Sequence, residues 1–228
     1  MSEKENTVSS VNQMQGHNPI MGRADANPKI AFVGNSITCH FIAEAIGWPR
    51  QCGMAASSME NDYVHLVMKA VKEIYPNADA SLALQADWER AFWEGDKPLE
   101  TTREVKLWKP DVVIIRVGEN TGEDTLSRGD YAQAVADMAR YFGGDHAKYV
   151  VTDQFWRNEK KNACLRRAAE LLNAEFAPIT DLGDDITMTA AGQFAHGGVA
   201  CHPGDKGMRA IADRILEKLI PLLKSMSF

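Results

Sequence analysis

The sequence predicts an α/β protein, a three-layer α/β/α sandwich around a central parallel sheet. Three observations carry the prediction. Short apolar runs without alternation, at Lys29 to Gly34, Val112 to Val117 and Lys148 to Thr152, have the composition of strands covered on both faces. Longer segments with apolar residues at helical spacing lie between them. Strands that alternate with helices in this way pair in parallel through right-handed crossovers.

The elements follow in chain order. Lys29 to Gly34 is the first strand, and it stops at the small polar turn Gly34-Asn35-Ser36. Thr38 to Ile46 reads as a short helix closed by Gly47-Trp48-Pro49. Asp62 to Tyr75 is helical through Val64, Val67, Met68, Val71 and Ile74, and Pro76 ends it. Ser81 to Leu84 reads as a short strand, whereas Asp87 to Trp93 and Leu99 to Leu107 are less regular. Pro110 introduces the central strand, Asp111 to Val117. Tyr131 to Phe142 is helical, with Asp130 as its N-cap and Gly143-Gly144 as its stop. Lys148 to Thr152 is a further buried strand, Asn158 caps a helix through Ala174, and Phe176 to Ile179 adds a short edge strand. The last helix, Asp205 to Ile220, turns Met208, Ile211, Ile215 and Leu219 to the core and ends at Pro221.

With 228 residues, 45% of them hydrophobic, the chain is long enough for one well-buried core. The expected organisation is a flexible N-terminal leader over residues 1–28 and a single domain over residues 29–228. The leader is polar and has no apolar centre of signal-peptide length. No stretch approaches the roughly 20 apolar residues of a membrane span, so a cytoplasmic protein without a membrane partner is expected. A sharper reading makes the leader an arm on a neighbouring subunit, which leaves room for a homo-oligomer. The net charge of −6 and the lack of a Lys/Arg cluster interleaved with aromatics argue against a nucleic-acid partner.

Cys39, Cys52, Cys164 and Cys201 are widely spaced and read as free thiols. Two of them form Cys-His dipeptides, Cys39-His40 and Cys201-His202, which raises zinc. Adjacent residues seldom face one metal, however, and neither Cys-x-x-Cys nor His-Glu-x-x-His occurs. The expectation is no metal and no cofactor.

Three residues carry the chemical argument. Ser36 follows the first strand and would stand at the carboxyl end of the sheet, where open α/β folds keep their sites. Asn120, in Gly118-Glu119-Asn120, ends the central strand at the same edge. His202, in Cys201-His202-Pro203-Gly204-Asp205, immediately precedes the last helix. Singly, each has an ordinary explanation as a turn residue or a cap. Together, in this order, they resemble the SGNH (GDSL-type) hydrolase family.

The resemblance runs from Lys29 to the C-terminus and implies the flavodoxin-like fold of SGNH hydrolases. Gly34-Asn35-Ser36 matches the nucleophile block, where the middle residue is more often Asp, and makes Ser36 the nucleophile. Gly118-Glu119-Asn120 matches the Gly-x-Asn block, whose asparagine amide donates to the oxyanion. His202 matches the general base. Aligning Gln51-Cys52-Gly53-Met54-Ala55-Ala56-Ser57 with the family's Asn-x-Gly-x-Ser-Gly puts Ala56 where the oxyanion-hole glycine stands, with Gly53 the nearest actual glycine. The hole is therefore expected from Ser36, Asn120 and either Ala56 or Gly53.

The family's acid, three residues before the histidine, is Val199 here. Its replacements are ranked as Glu119, then a backbone carbonyl of the loop Gly197 to Cys201, then Asp205; with no side-chain acid the machinery is a Ser-His dyad. Trp48 and Trp156 are candidates for stacking on a sugar, and His196 for lining the pocket. His40, His65 and His146 read as surface or satisfied polar residues; Arg116 reads as a structural ion-pair partner of Glu119 first and as a site for an acidic substrate second. The resemblance implies a serine esterase acting on small acyl esters through an acyl-enzyme, with an O-acetyl group on a carbohydrate as the leading substrate. Its rivals are a silent carbohydrate-binding protein on the same fold, a lipase or thioesterase, and a metal-dependent hydrolase.

Overall fold

A computed structural model describes residues 19–228. Five strands, β1 (Lys29–Gly34), β2 (Asp79–Leu84), β3 (Val112–Arg116), β4 (Lys148–Thr152) and β5 (Glu175–Ala177), form one parallel sheet in the order β2-β1-β3-β4-β5. The helices are α1 (Tyr63–Ile74), α2 (Ala86–Arg90), α3 (Arg103–Trp108), α4 (Tyr131–Gly143), α5 (Glu159–Leu172), α6 (Gly197–Ala200) and α7 (Asp205–Lys224).

Successive strand side chains point to opposite faces, and both faces are buried. Ile30, Phe32, Val112, Ile114 and Val150 pack with α1 and α7 in one layer. Ala31, Val33, Val113, Ile115 and Val151 pack with α4 and α5 in the other. Asp62, Asp130 and Asn158 cap α1, α4 and α5, each accepting the N–H three residues on.

The strand order reverses its direction of travel between β1 and β3. That switch point opens a crevice at the carboxyl ends of the two strands, where ligands bind in open α/β sheets. The loops leaving it are the ones that carry Ser36 and Asn120.

Four expectations need correction. Thr38 to Ile46 is not a helix: His40 N–H donates to Cys52 O and Ala43 N–H to Trp48 O, leaving only a 3-10 turn at Glu44–Ile46. Burial of the Trp48 indole, which donates to His40 O, outweighs local helix propensity. Pro221 does not end α7, since it lies in the last turn and the buried Leu219 and Leu223 hold that turn to the core. The last short strand is Glu175–Ala177 rather than Phe176 to Ile179. The leader is not flexible through residue 28: Ile20 bridges Leu82 of β2, Gly22 N–H donates to Ser81 Oγ and the Trp108 indole donates to Arg23 O. The rest of the expected leader, residues 1–18, lies outside the described residues.

Candidate active site

The turn after β1 is tightly packed at Gly34. A Cβ at Gly34 would stand 1.9 Å from Thr38 Oγ1, so glycine is required there. The Asn35 carbonyl then accepts from Thr38 N–H and Cys39 N–H at 2.9 and 3.0 Å, which fixes Ser36 at the crest. Its Oγ lies 2.9 Å from His202 Nε2.

The other imidazole nitrogen, His202 Nδ1, is 2.6 Å from the carbonyl oxygen of Gly198. A carbonyl only accepts, so Nδ1 carries the proton and Nε2 presents a lone pair to the Ser36 hydroxyl. Burial pulls the His202 pKa down to about 4, against the opposing pull of the Gly198 hydrogen bond. The ring is held edge-on against Trp156, with centroids 5.1 Å apart, and the Trp156 indole donates to Cys201 O.

Glu119 therefore does not orient His202. Its Oε1 accepts from Arg116 Nη1 at 2.7 Å and from Phe155 N–H at 3.2 Å, and its Oε2 accepts from Asn35 Nδ2 at 2.7 Å and Arg116 Nη2 at 3.2 Å. Both oxygens are committed to the floor beneath the serine turn. Burial alone would raise its pKa, but the Arg116 guanidinium and these donors keep it below the ordinary carboxylate range. Asp205 is committed elsewhere as well, accepting from Ser57 N–H, Ser57 Oγ and Asn61 Nδ2. The second-ranked expectation, a carbonyl of the loop before the histidine, is the contact observed. Val199, at the family's acid position, is wholly buried in the core.

Two of the expected oxyanion donors are already engaged. Gly53 N–H is bonded to Asp62 Oδ2 at 3.1 Å, and Ala56 N–H to Gly53 O at 3.1 Å. These bonds close a turn whose third residue, Ala55, takes a φ of 76°, as in a type II turn. Met54 N–H donates to Ser36 O and ties this turn to the Ser36 turn. Among the described residues, the N–H groups of Ala55 and Ser36 make no hydrogen bond. Alanine carries no glycine-like signal for positive φ, so Ala55 is invisible in the sequence.

Asn120 sits in a dense polar mesh. Its N–H donates to Glu89 Oε2 at 2.5 Å, and its Oδ1 accepts from Arg90 Nη2 at 3.0 Å. Nδ2 is buried and makes no well-aligned hydrogen bond among the described residues, though the Asn120 side chain lies near enough to Glu89 to favour its ionised form. Glu89 also accepts from Asn35 Nδ2 at 2.8 Å, so one buried carboxylate joins the Ser36 turn to the Asn120 loop. Burial and the charge of Glu119 raise its pKa. Lys161 Nζ donates to Gly118 O and Thr121 O, both at 3.0 Å, and closes that loop from the far side. Glu89, Arg90 and Lys161 had no sequence signal: the first two fall in the less regular segment after Ser81 to Leu84, and Lys161 lies on a helix whose charges read as surface.

Trp48 is not a binding platform. It is 0% exposed, packed on Phe194. His196 is half-buried, and its ring covers Gly198, where a Cβ would meet His196 Cε1 at 2.8 Å. It therefore packs against the residue whose carbonyl holds His202. His40 Nδ1 lies 2.6 Å from Phe41 O, and Cys201 Sγ donates to Gly198 O. Among the described residues no group of three His, Cys, Asp or Glu could hold a metal ion.

No protein-family model matches the chain, and no curated protein matches it. Solved structures do. Axe2, an acetylxylan esterase from Geobacillus stearothermophilus, is 17% identical with a TM-score of 0.50, over 86% of this chain and 96% of that one. The psychrotrophic esterase EstA from a Pseudoalteromonas species is 15% identical with a TM-score of 0.51, over 87% and 100%. A protein from Parabacteroides merdae described as a GDSL-like lipase is 18% identical with a TM-score of 0.50, over 85% and 96%. At these identities the likeness is one of fold. The three-layer sandwich is the one these esterases use, in agreement with the SGNH resemblance read from the sequence.

Proposed function

We propose that the chain is a serine ester hydrolase working through a Ser-His dyad. The observation that carries this is the relay from Ser36 Oγ to His202 Nε2 and from His202 Nδ1 to Gly198 O. His202 takes the hydroxyl proton as Ser36 Oγ bonds to the ester carbonyl carbon, and the carbonyl oxygen becomes an oxyanion. The free donors near the serine turn, Ser36 N–H, Ala55 N–H and Asn120 Nδ2, are the groups assigned to that oxygen; one such donor contributes about 3 kcal/mol to the transition state. His202 returns the proton to the leaving alcohol, and water then attacks the acyl-Ser36 ester with His202 again as base.

The substrate assigned is a small acyl ester, with acetyl on a carbohydrate first. Trp156 against His202 supports an alcohol with a flat apolar face beside the leaving oxygen, and the shared fold with an acetylxylan esterase supports the acyl group. Fluorophosphonate labelling with peptide mapping tests the chemistry. Modification confined to Ser36, abolished in Ser36→Ala, is expected; labelling elsewhere or none removes the assignment. Acetate release from acetylated xylan, compared with hydrolysis of longer-chain esters, tests the substrate.

A further inference from the structure

Arg90, at the end of α2, is 28% exposed and lies 3.5 Å from Asp87. Its Nη1 donates to Ala86 O and its Nη2 to Asn120 Oδ1, both at 3.0 Å. A guanidinium has only donors. The amide atom that faces it must therefore be the oxygen, which forces Nδ2 to the other side. Glu89, the neighbouring residue, holds the Asn120 backbone N–H, so successive residues of one helix grip the main chain and the side chain of Asn120. The outcome is a buried amide donor on the side of the Glu89 carboxylate with no well-aligned partner among the described residues.

We propose that Arg90 is a positioning residue that fixes the Asn120 amide with Nδ2 as the oxyanion donor, an inference that rests on the oxyanion role given to Asn120 above. Without Arg90, this contact no longer distinguishes the two amide faces, and a flipped carboxamide would present Oδ1 in place of Nδ2. A structural role through Asp87 and Ala86 alone would affect stability and leave turnover per folded molecule intact.

The test is a double-mutant cycle on a chromogenic acetyl ester, using Arg90→Met, Asn120→Ala and both together, with kcat, KM and thermal unfolding measured for each. Arg90→Met is expected to lower kcat about 10-fold with KM unchanged, the pattern of a lost transition-state contact. In the Asn120→Ala background it should cost nothing further. Additive losses, a change in KM alone, or unchanged kcat would overturn the proposal. If Arg90→Met does not fold, Arg90→Lys enters the same cycle: it keeps the charge without the planar fork, and the same non-additivity is required of it. Unchanged kcat in Asn120→Ala would mean that the oxyanion reading itself has failed, and Arg90 with it. A loss in Asn120→Ala without one in Arg90→Met would overturn the Arg90 assignment alone.

Discussion

His202 Nδ1 and the carbonyl oxygen of Gly198 are 2.6 Å apart, and this contact stands where an acid would in a triad. The carbonyl selects the same tautomer as a carboxylate does, since it can only accept. It lacks the full negative charge that would stabilise the imidazolium once Ser36 has given up its proton. In the proposed mechanism such a dyad would be oriented for attack but would depend more heavily on its oxyanion donors.

Ser36→Ala and His202→Ala are each expected to lower ester hydrolysis by about 10⁴-fold or more, because the two act as a unit. Ser36→Ala should leave the unfolding midpoint close to that of the parent, since among the described residues the Ser36 hydroxyl bonds only His202. Substantial turnover in the folded Ser36→Ala variant, measured with enzyme free of contaminating esterase, would exclude Ser36 as nucleophile.

The pH profile gives an independent check. His202 acts as a base only when neutral, and burial takes its pKa from the ordinary 6.5 to about 4. The acid limb of kcat/KM is expected near pH 4 rather than near 6.5. Stability has a matching sign: below 6.5 the unfolded chain binds a proton that folded His202 refuses, so this contribution is present above 6.5 and is lost as pH falls toward 4. A limb at 6.5 in the active enzyme would mean that His202 is freely solvated.

Glu119→Gln separates orientation from scaffolding. All the contacts of Glu119 come from donors, namely Arg116, Asn35 Nδ2 and Phe155 N–H, and an amide NH2 would face one of them. The buried Arg116 charge would also lose its counter-charge, and breaking such a pair typically costs about 3 to 5 kcal/mol. A large drop in the unfolding free energy is expected, with the acid limb of kcat/KM moving only downward, since the Glu119 charge is a minor influence that raises the His202 pKa. A shifted limb at unchanged stability would restore Glu119 to the role of orienting acid.

How much of this was legible in the sequence differs by level. The parallel sheet was legible because strands such as Val112 to Arg116 are continuously apolar, and the caps because Asp130 and Asn158 stand directly before helical periodicity. Ser36, Asn120 and His202 were legible because short motifs fix them at strand ends and a helix start. The remainder depends on backbone contacts between distant segments. A carbonyl has no residue type, so Gly198 O was foreseeable only as one of several choices, and the positive φ of Ala55 contradicts its residue preference. Glu89 reaches Asn35 and Asn120 only after α2 has packed over the crevice.

Val199→Asp inserts the acid that the family pattern carries at this position. From the sequence alone, a dyad with an unfilled acid position would tolerate or gain from the change. The structure reverses that expectation. Val199 is 0% exposed and packs in the same layer as Met208 and Ile211 of α7, while its N–H and carbonyl hold the one-turn α6 through His196 O and His202 N–H. A carboxylate there would be buried without a partner unless the loop rotated to bring it to His202 Nδ1. That rotation would break the His202 bond to Gly198 and move the His196 ring that lies over Gly198. Burying an unpaired polar group costs on the order of 2 kcal/mol or more, so loss of stability together with loss of turnover is expected, read by thermal unfolding and by kcat on a small acetyl ester. An enzyme as stable as the parent and faster would mean that the loop can adopt the acid-bearing geometry, and that Gly198 is only one of two ways to hold the imidazole.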